Sequence, residues 1–130
     1  MIKSIINKII AVEDDKSWYD LLSGQTRDNV ELVYASTEDY VNKIEDYEFL
    51  FDLIIIDGPQ RNECAFKAVN FLSDKGVIIF DDSDRNDYED GYHFLAENDF
   101  RRLDFIGFSP CSLNRNSTSV FYKDKNILNL

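Results

Sequence analysis

Several functions are closed to this sequence by what it lacks. Its 130 residues include a single histidine, His93, and two cysteines, Cys64 and Cys111. The cysteines lie too far apart in the chain for a zinc knuckle, and one histidine cannot complete a zinc-ligand set. Basic residues are scarce: 14 Lys and Arg stand against 25 Asp and Glu, for a formal net charge of −11 at pH 7. Phosphate binding needs a basic footprint, so no nucleic-acid partner is expected. No apolar run approaches the ~20 residues that span a bilayer, and no membrane partner is expected either. The opening MIKSIINKII is broken by Lys8 and followed by AVEDD, where a cleavage site would need small residues. It does not read as a signal peptide, and a cytoplasmic location is the expectation. Internal repeats, linkers and low-complexity stretches are also missing.

What is present is buriable surface. Hydrophobic residues make up 44% of the chain and aromatics 14%, chiefly 10 Phe and 7 Tyr, too much for a disordered acidic tail. A single folded domain over residues 1–130 is expected, burying roughly two-thirds of its unfolded surface.

The pattern along the chain alternates strand with helix. IIAV, from Ile9 to Val12, is a β-branched run that ends in Glu13, Asp14 and Asp15. A helix follows in DDKSWYDLLSG, with Asp15 as its cap, Trp18, Leu21 and Leu22 at helical spacing, and Gly24 where a left-handed C-terminal cap belongs. VELVYA (Val30 to Ala35) reads as a strand. STEDYVNKIED then reads as a helix, because Ser36 and Asp39 have the spacing of a capping box and Tyr40, Val41 and Ile44 share a face.

FDLIIIDG, from Phe51 to Gly58, is the strongest structural signal, a continuous apolar run expected of a central parallel strand covered on both faces. A helix over Asn62 to Ser73, with Ala65, Phe66, Val69 and Leu72 on one stripe, leads to a second apolar strand in KGVIIFDD. After a helix around Tyr88 to Glu97, FRRLDFIGF and TSVFYK alternate as two strands joined by a turn region holding Pro110, and read as a closing antiparallel hairpin. Strand–helix–strand units of this kind predict an open α/β sheet with helices on both sides.

In such sheets ligands bind beyond the carboxyl ends of the strands. Glu13 and Asp14 follow the first strand, Asp57, Gly58 and Pro59 the third, and Asp81, Asp82 and Ser83 the fourth. If the third and fourth strands are neighbours, ~4.8 Å apart, Asp57, Asp81 and Asp82 converge on one volume and require a cation, a proton or a polar ligand there. Against this stands the plainer reading that strands simply end at solvent, with Asp81 and Asp82 capping a turn, Trp18 packing, and Arg61 and Arg85 solvated rather than orienting an anionic substrate. His93 lies between Tyr92 and Phe94 and reads as structural, and Cys64 reads as packing.

The run FDLIIIDG, helix, KGVIIFDDSDR, preceded by AVEDDKSWYDLL, resembles the class I S-adenosylmethionine-dependent methyltransferases over nearly the whole chain, from Ile9 to Lys123. The resemblance implies a three-layer Rossmann-like sheet, mostly parallel with a C-terminal antiparallel hairpin. It implies Glu13 on the ribose hydroxyls of S-adenosylmethionine, with Asp14, Trp18, Asp57 and Gly58 also lining the cofactor site. The family's first strand and its glycine-rich loop have no counterpart, since eight residues precede IIAV and no GxGxG occurs. The first strand is therefore expected to be missing, leaving IIAV beside FDLIIID directly or across a gap filled by another chain, and a homodimer through sheet edges or aromatic surface is expected. A second resemblance, to metal-assisted O-methyltransferases of the catechol type, implies Asp57, Asp81 and Asp82 as Mg²⁺ or Ca²⁺ ligands, with Asp57 and Asp81 in the catalytic role.

Two functional classes follow. One is a methyltransferase acting on an oxygen or nitrogen of a small molecule. The other is a non-catalytic methyltransferase fold that serves as a binding or assembly module. A nicotinamide-dinucleotide fold fits less well, because it too needs the glycine fingerprint.

Overall fold

A computed structural model describes residues 7–108 and 115–130. The turn holding Pro110, and with it Cys111, lies outside the described residues. The chain forms two compact units, residues 1–46 and 47–130.

In the first unit, β1 (Ile9–Glu13) pairs in parallel with β2 (Val30–Tyr34), with Ile9 opposite Val30 and Glu13 opposite Tyr34. They are joined through α1 (Lys16–Leu22). The Asp15 side chain caps α1 as expected, accepting from the backbone N–H of Ser17 at 2.8 Å and of Trp18 at 3.0 Å. Gly24 does not supply a left-handed cap: no described glycine has positive φ, and the helix closes through Ser23 in the right-handed region. The helix predicted from the Ser36–Asp39 spacing is instead a 3₁₀ helix over Val41–Asp46, preceded by a turn. There the Ser36 hydroxyl bonds the Asp39 carboxylate at 3.2 Å, so the two side chains satisfy each other rather than the backbone N–H groups that an α-helical start would leave open.

The second unit is a four-stranded sheet in the order β3-β4-β6-β5, built from β3 (Phe51–Ile56), β4 (Leu72–Phe80), β5 (Arg101–Phe108) and β6 (Arg115–Tyr122). β3 and β4 run parallel, with Ile54, Ile55 and Ile56 opposite Ile78, Ile79 and Phe80. The expected hairpin is present, β5 and β6 pairing antiparallel along their length. β3 is not the central strand its composition suggests. It pairs with β4 alone and is an edge of this sheet, with Leu53 and Ile55 exposed. Among the described residues β1 has the ladder to β2.

Two helices, α2 (Arg61–Phe71) and α3 (Glu89–Glu97), cover the core of this sheet. Ala65 and Ala68 of α2, Leu95 of α3, Ile56 of β3, Ile78 and Phe80 of β4 and Phe121 of β6 form one buried cluster. The small α2 residues let the helices approach, and Asn62 bridges them, accepting from Gly91 N–H at 3.0 Å and donating to the Asp87 carbonyl at 2.9 Å. Phe80 is the centre of the aromatic packing, with Tyr92 at 5.0 Å edge-on and Phe121 at 6.3 Å.

Candidate functional site

The carboxyl end of β1 carries the acids expected there. Glu13 closes the ladder, its carbonyl accepting from Ala35 N–H at 3.1 Å, and its Oε1 accepts from the Asp15 backbone N–H at 2.9 Å. That bond fixes the carboxylate over the turn into α1. Asp14 is tied differently, its Oδ2 accepting from the Thr37 hydroxyl at 3.2 Å. Trp18 is half exposed on α1 rather than packed into a core, and Tyr19 of α1 pairs with Tyr34, their rings 5.7 Å apart.

The register of β3 and β4 brings Asp57 and Asp81 together at adjoining strand ends, since Ile56 and Phe80 are partners and Asp81 N–H donates to the Ile56 carbonyl at 3.0 Å. Asp82 follows in the left-handed region, at φ 51°. The residue that organises these acids is Arg61, at the start of α2, whose side chain is 10% exposed. Its Nε donates to the Gly58 carbonyl at 3.0 Å and its Nη1 to the Asp81 carbonyl at 2.5 Å. Nη2 lies 3.2 Å from Asp57 Oδ1 and 3.4 Å from Asp82 Oδ2. The guanidinium also stacks 5.3 Å from the Tyr88 ring. Arg85 adds a second cation, 2.7 Å from Asp82 Oδ2.

Arg61 is therefore a clamp joining two strand ends, neither a solvated side chain nor a free anchor for an anionic substrate. It also changes the setting of the metal expected at Asp57, Asp81 and Asp82. Among the described residues no group of three His, Cys, Asp or Glu side chains is arranged to hold a metal ion. The physical reason is that a guanidinium already lies between Asp57 and Asp82, supplying the positive charge that a cation would bring. Neither Mg²⁺ nor Ca²⁺ fits, and no chemistry is routed through a metal.

Desolvation raises the Asp57 carboxyl above its ordinary range, and the neighbouring Asp81 raises it further, while Arg61 pulls the other way. Asp57 nevertheless keeps 64% of its side chain exposed, so it can exchange a proton with a ligand. Behind the strand ends a partly buried polar chain links β5, β6 and the loop after β4. Ser119 donates to Asp104 at 2.5 Å, Arg102 Nε donates to Asp104 at 2.6 Å, and Arg102 Nη2 donates to the Ser83 carbonyl at 2.9 Å. Burial opposes ionisation of Asp104, but the Ser119 and Arg102 hydrogen bonds outweigh it and hold the carboxyl below its usual range.

Reading the strand ends missed Thr118 and Asn116 of β6. Thr118 donates to Asp81 Oδ1 at 2.5 Å and Asn116 Nδ2 to Asp82 Oδ1 at 2.8 Å. The antiparallel pairing of β6 with β4 carries them there, and the available signal was the position of Thr118 at the head of TSVFYK with Asn116 two residues before it, on the same face of a strand. His93 is exposed on α3, and Cys64 is partly buried on α2 with its thiol directed at the Pro59 carbonyl, 3.6 Å away.

No family model matches the sequence, and no curated protein matches it. Solved structures do. An O-methyltransferase from Bacillus cereus in complex with SAH superposes with a TM-score of 0.68 over 89% of this chain and 63% of that one, at 20% identity. The fold is that of the class I S-adenosylmethionine-dependent methyltransferases. The precorrin-6y C5,15-methyltransferase from Geobacter metallireducens matches with a TM-score of 0.64, 17% identity, 89% of this chain and 67% of that one. Spermidine synthase from Thermotoga maritima matches with a TM-score of 0.71, 18% identity, 95% of this chain and 47% of that one. At these identities the likeness establishes the α/β Rossmann-like fold. The chain spans less than two-thirds of the Bacillus cereus enzyme and about half of the spermidine synthase.

Proposed function

We propose that this chain binds S-adenosylmethionine and takes part in methyl transfer to an oxygen or nitrogen of a small molecule. The observation that carries the reading is the acid at the end of β1 within a methyltransferase fold. Glu13 is fixed by the Asp15 N–H through one oxygen, and a carboxylate accepts on both oxygens. That suits a ribose diol, which offers two O–H donors. In this reading Glu13 holds the diol, and Asp14 and Trp18 of the same unit line the cofactor beside it. S-adenosylmethionine, when bound, supplies an electrophilic methyl group. The chain's own part in the chemistry falls to Asp57, with Asp81 beside it. A carboxylate whose proton affinity is raised by desolvation and a neighbouring acid is the better acceptor for the proton that an O–H or N–H nucleophile must lose.

The test is calorimetric titration of the full chain with S-adenosylmethionine and with S-adenosylhomocysteine, repeated on Glu13→Ala. Micromolar binding that Glu13→Ala weakens about tenfold, equivalent to ~1.4 kcal/mol, is the expected result. Absence of heat with both ligands would sink the reading. It would favour the binding or assembly module instead.

A further inference from the structure

The β5–β6 hairpin and the residue after β4 line an open cleft of about 460 Å³. Its volume lies within the ~300–1,000 Å³ of small-molecule sites. The antiparallel register sets Phe105 opposite Thr118 and Gly107 opposite Asn116, so these four residues share one face of the sheet. Gly107 is the floor. A Cβ built on it would meet nothing within 4 Å, so the open space continues down to the backbone. Phe105, 58% exposed, is the apolar wall.

The opposite wall is acidic and rich in acceptors. Asp81 lines the cleft and takes a hydrogen bond from Thr118. Among the described residues the nearby guanidiniums of Arg61 and Arg85 pair with Asp57 and Asp82 and not with the Asp81 carboxylate, which shares a hydrogen bond with the Asp57 carboxyl. Asn116 spends its amide N–H on Asp82, while its buried Oδ1 accepts no hydrogen bond. A carboxylate without a counter-ion, facing an exposed aromatic ring across a glycine floor, is the chemistry that recognises an ammonium group on an apolar body. A carboxylate or phosphate ligand would instead meet the charge of Asp81, with both neighbouring arginines already engaged.

We infer that this cleft binds a small organic ammonium, its cationic head at Asp81 and its apolar body over Gly107 against Phe105. The inference does not rest on the cofactor reading, because nothing in it involves a methyl donor.

The probe is 2-phenylethylamine, protonated at pH 7, titrated into the full chain without S-adenosylmethionine and followed by amide shifts in ¹⁵N-resolved NMR. Saturable binding is expected, with shifts centred on Gly107, Thr118 and Asn116. The uncharged isostere 2-phenylethanol should bind at least about tenfold more weakly, and 3-phenylpropionate should not saturate. Gly107→Leu puts a side chain into the space that a Cβ at this position enters freely and should abolish binding while the melting temperature stays at or above that of the parent. Asp81→Asn keeps the acceptor for Thr118 and should reduce affinity for the amine to that for the alcohol. Equal affinity for amine and alcohol, unaltered binding to Gly107→Leu, or no saturation by the amine at millimolar concentration would each overturn the proposal. None of these outcomes bears on the titration with S-adenosylmethionine.

Discussion

Replacing Arg61 by alanine tests the electrostatic account of the strand ends most directly. The side chain is nearly buried and makes hydrogen bonds to the carbonyls of Gly58 and Asp81 as well as ion pairs to Asp57 and Asp82. Asp57 is mostly exposed, so solvent screens its share. Asp82, 18% exposed, and the two carbonyls carry most of the loss. Leaving them without donors costs about 2–4 kcal/mol, below the full penalty for an unpaired buried charge because Arg85 still reaches Asp82. For a protein of this size that is a fall of roughly 8–16 °C in melting temperature. The pH dependence has a definite sign. Asp57 titrates above its ordinary value in the folded state, so its protonated form favours folding. That advantage is complete below the unfolded value and is lost as the pH rises through the folded one. Arg61 lowers the Asp57 value, so Arg61→Ala widens the gap and its deficit is greater at pH 8 than at pH 4. Arg61→Lys restores a charge but not the planar fork, and recovers only part of the loss. Calorimetric melting of the three proteins at both pH values is the assay. A deficit under ~2 °C, or one that is larger at pH 4 than at pH 8, would refute the reasoning.

Two further outcomes follow from packing. Gly76 is buried in β4, and a Cβ there would strike the Leu72 side chain and lie 3.0 Å from the Phe51 carbonyl oxygen. Gly76→Ala should therefore destabilise by about 1–3 kcal/mol, read as a lower urea midpoint at unchanged slope, although alanine is ordinarily the better strand residue. Burial pushes the Cys64 thiol up to about 11, so it should resist iodoacetamide at pH 8 in the folded protein and react once urea is added, as peptide mass spectrometry would record.

The strands were legible in the sequence because each is a local signal, an apolar run that stops at an acid in β1, β3 and β4 and an alternating pattern in β5 and β6. Asp15 was legible as a cap for the same reason, since its partners Ser17 and Trp18 lie within three residues. What failed depended on competition or on distance. Ser36 and Asp39 had the spacing of a capping box but satisfied each other, and the segment after them tightened to a 3₁₀ helix. The FDLIII composition of β3 fits a strand covered on both faces, yet the ladders leave it at an edge, a property of topology that no window of residues encodes. Arg61 looked like a surface cation because its contacts with Asp81 and Asp82 cross 20 or more residues. Thr118 and Asn116 reach the acids only through the pairing of β6 with β4, so the most informative polar contacts at the site were invisible from the strand ends alone.

Charge balance at the ends of β3 and β4 ties these findings together. Three carboxylates meet two guanidiniums, and the geometry determines which acid is left over. Arg61 spans Asp57 and Asp82, Arg85 doubles the pairing of Asp82, and the Asp81 side chain takes the neutral hydroxyl of Thr118 and a hydrogen bond shared with the Asp57 carboxyl. Asp81 is the acid that opens onto the glycine-floored cleft, and it raises the proton affinity of Asp57 beside it. A cation arriving at Asp81 would relieve that repulsion and lower the affinity of Asp57 for its proton. Ligand charge and the protonation of Asp57 are thus coupled. By reciprocity, the affinity of the cleft for an ammonium should increase as the pH rises through the Asp57 titration. A neutral ligand of the same shape lacks this coupling, so the pH dependence of the amine relative to the alcohol separates recognition by charge from recognition by shape.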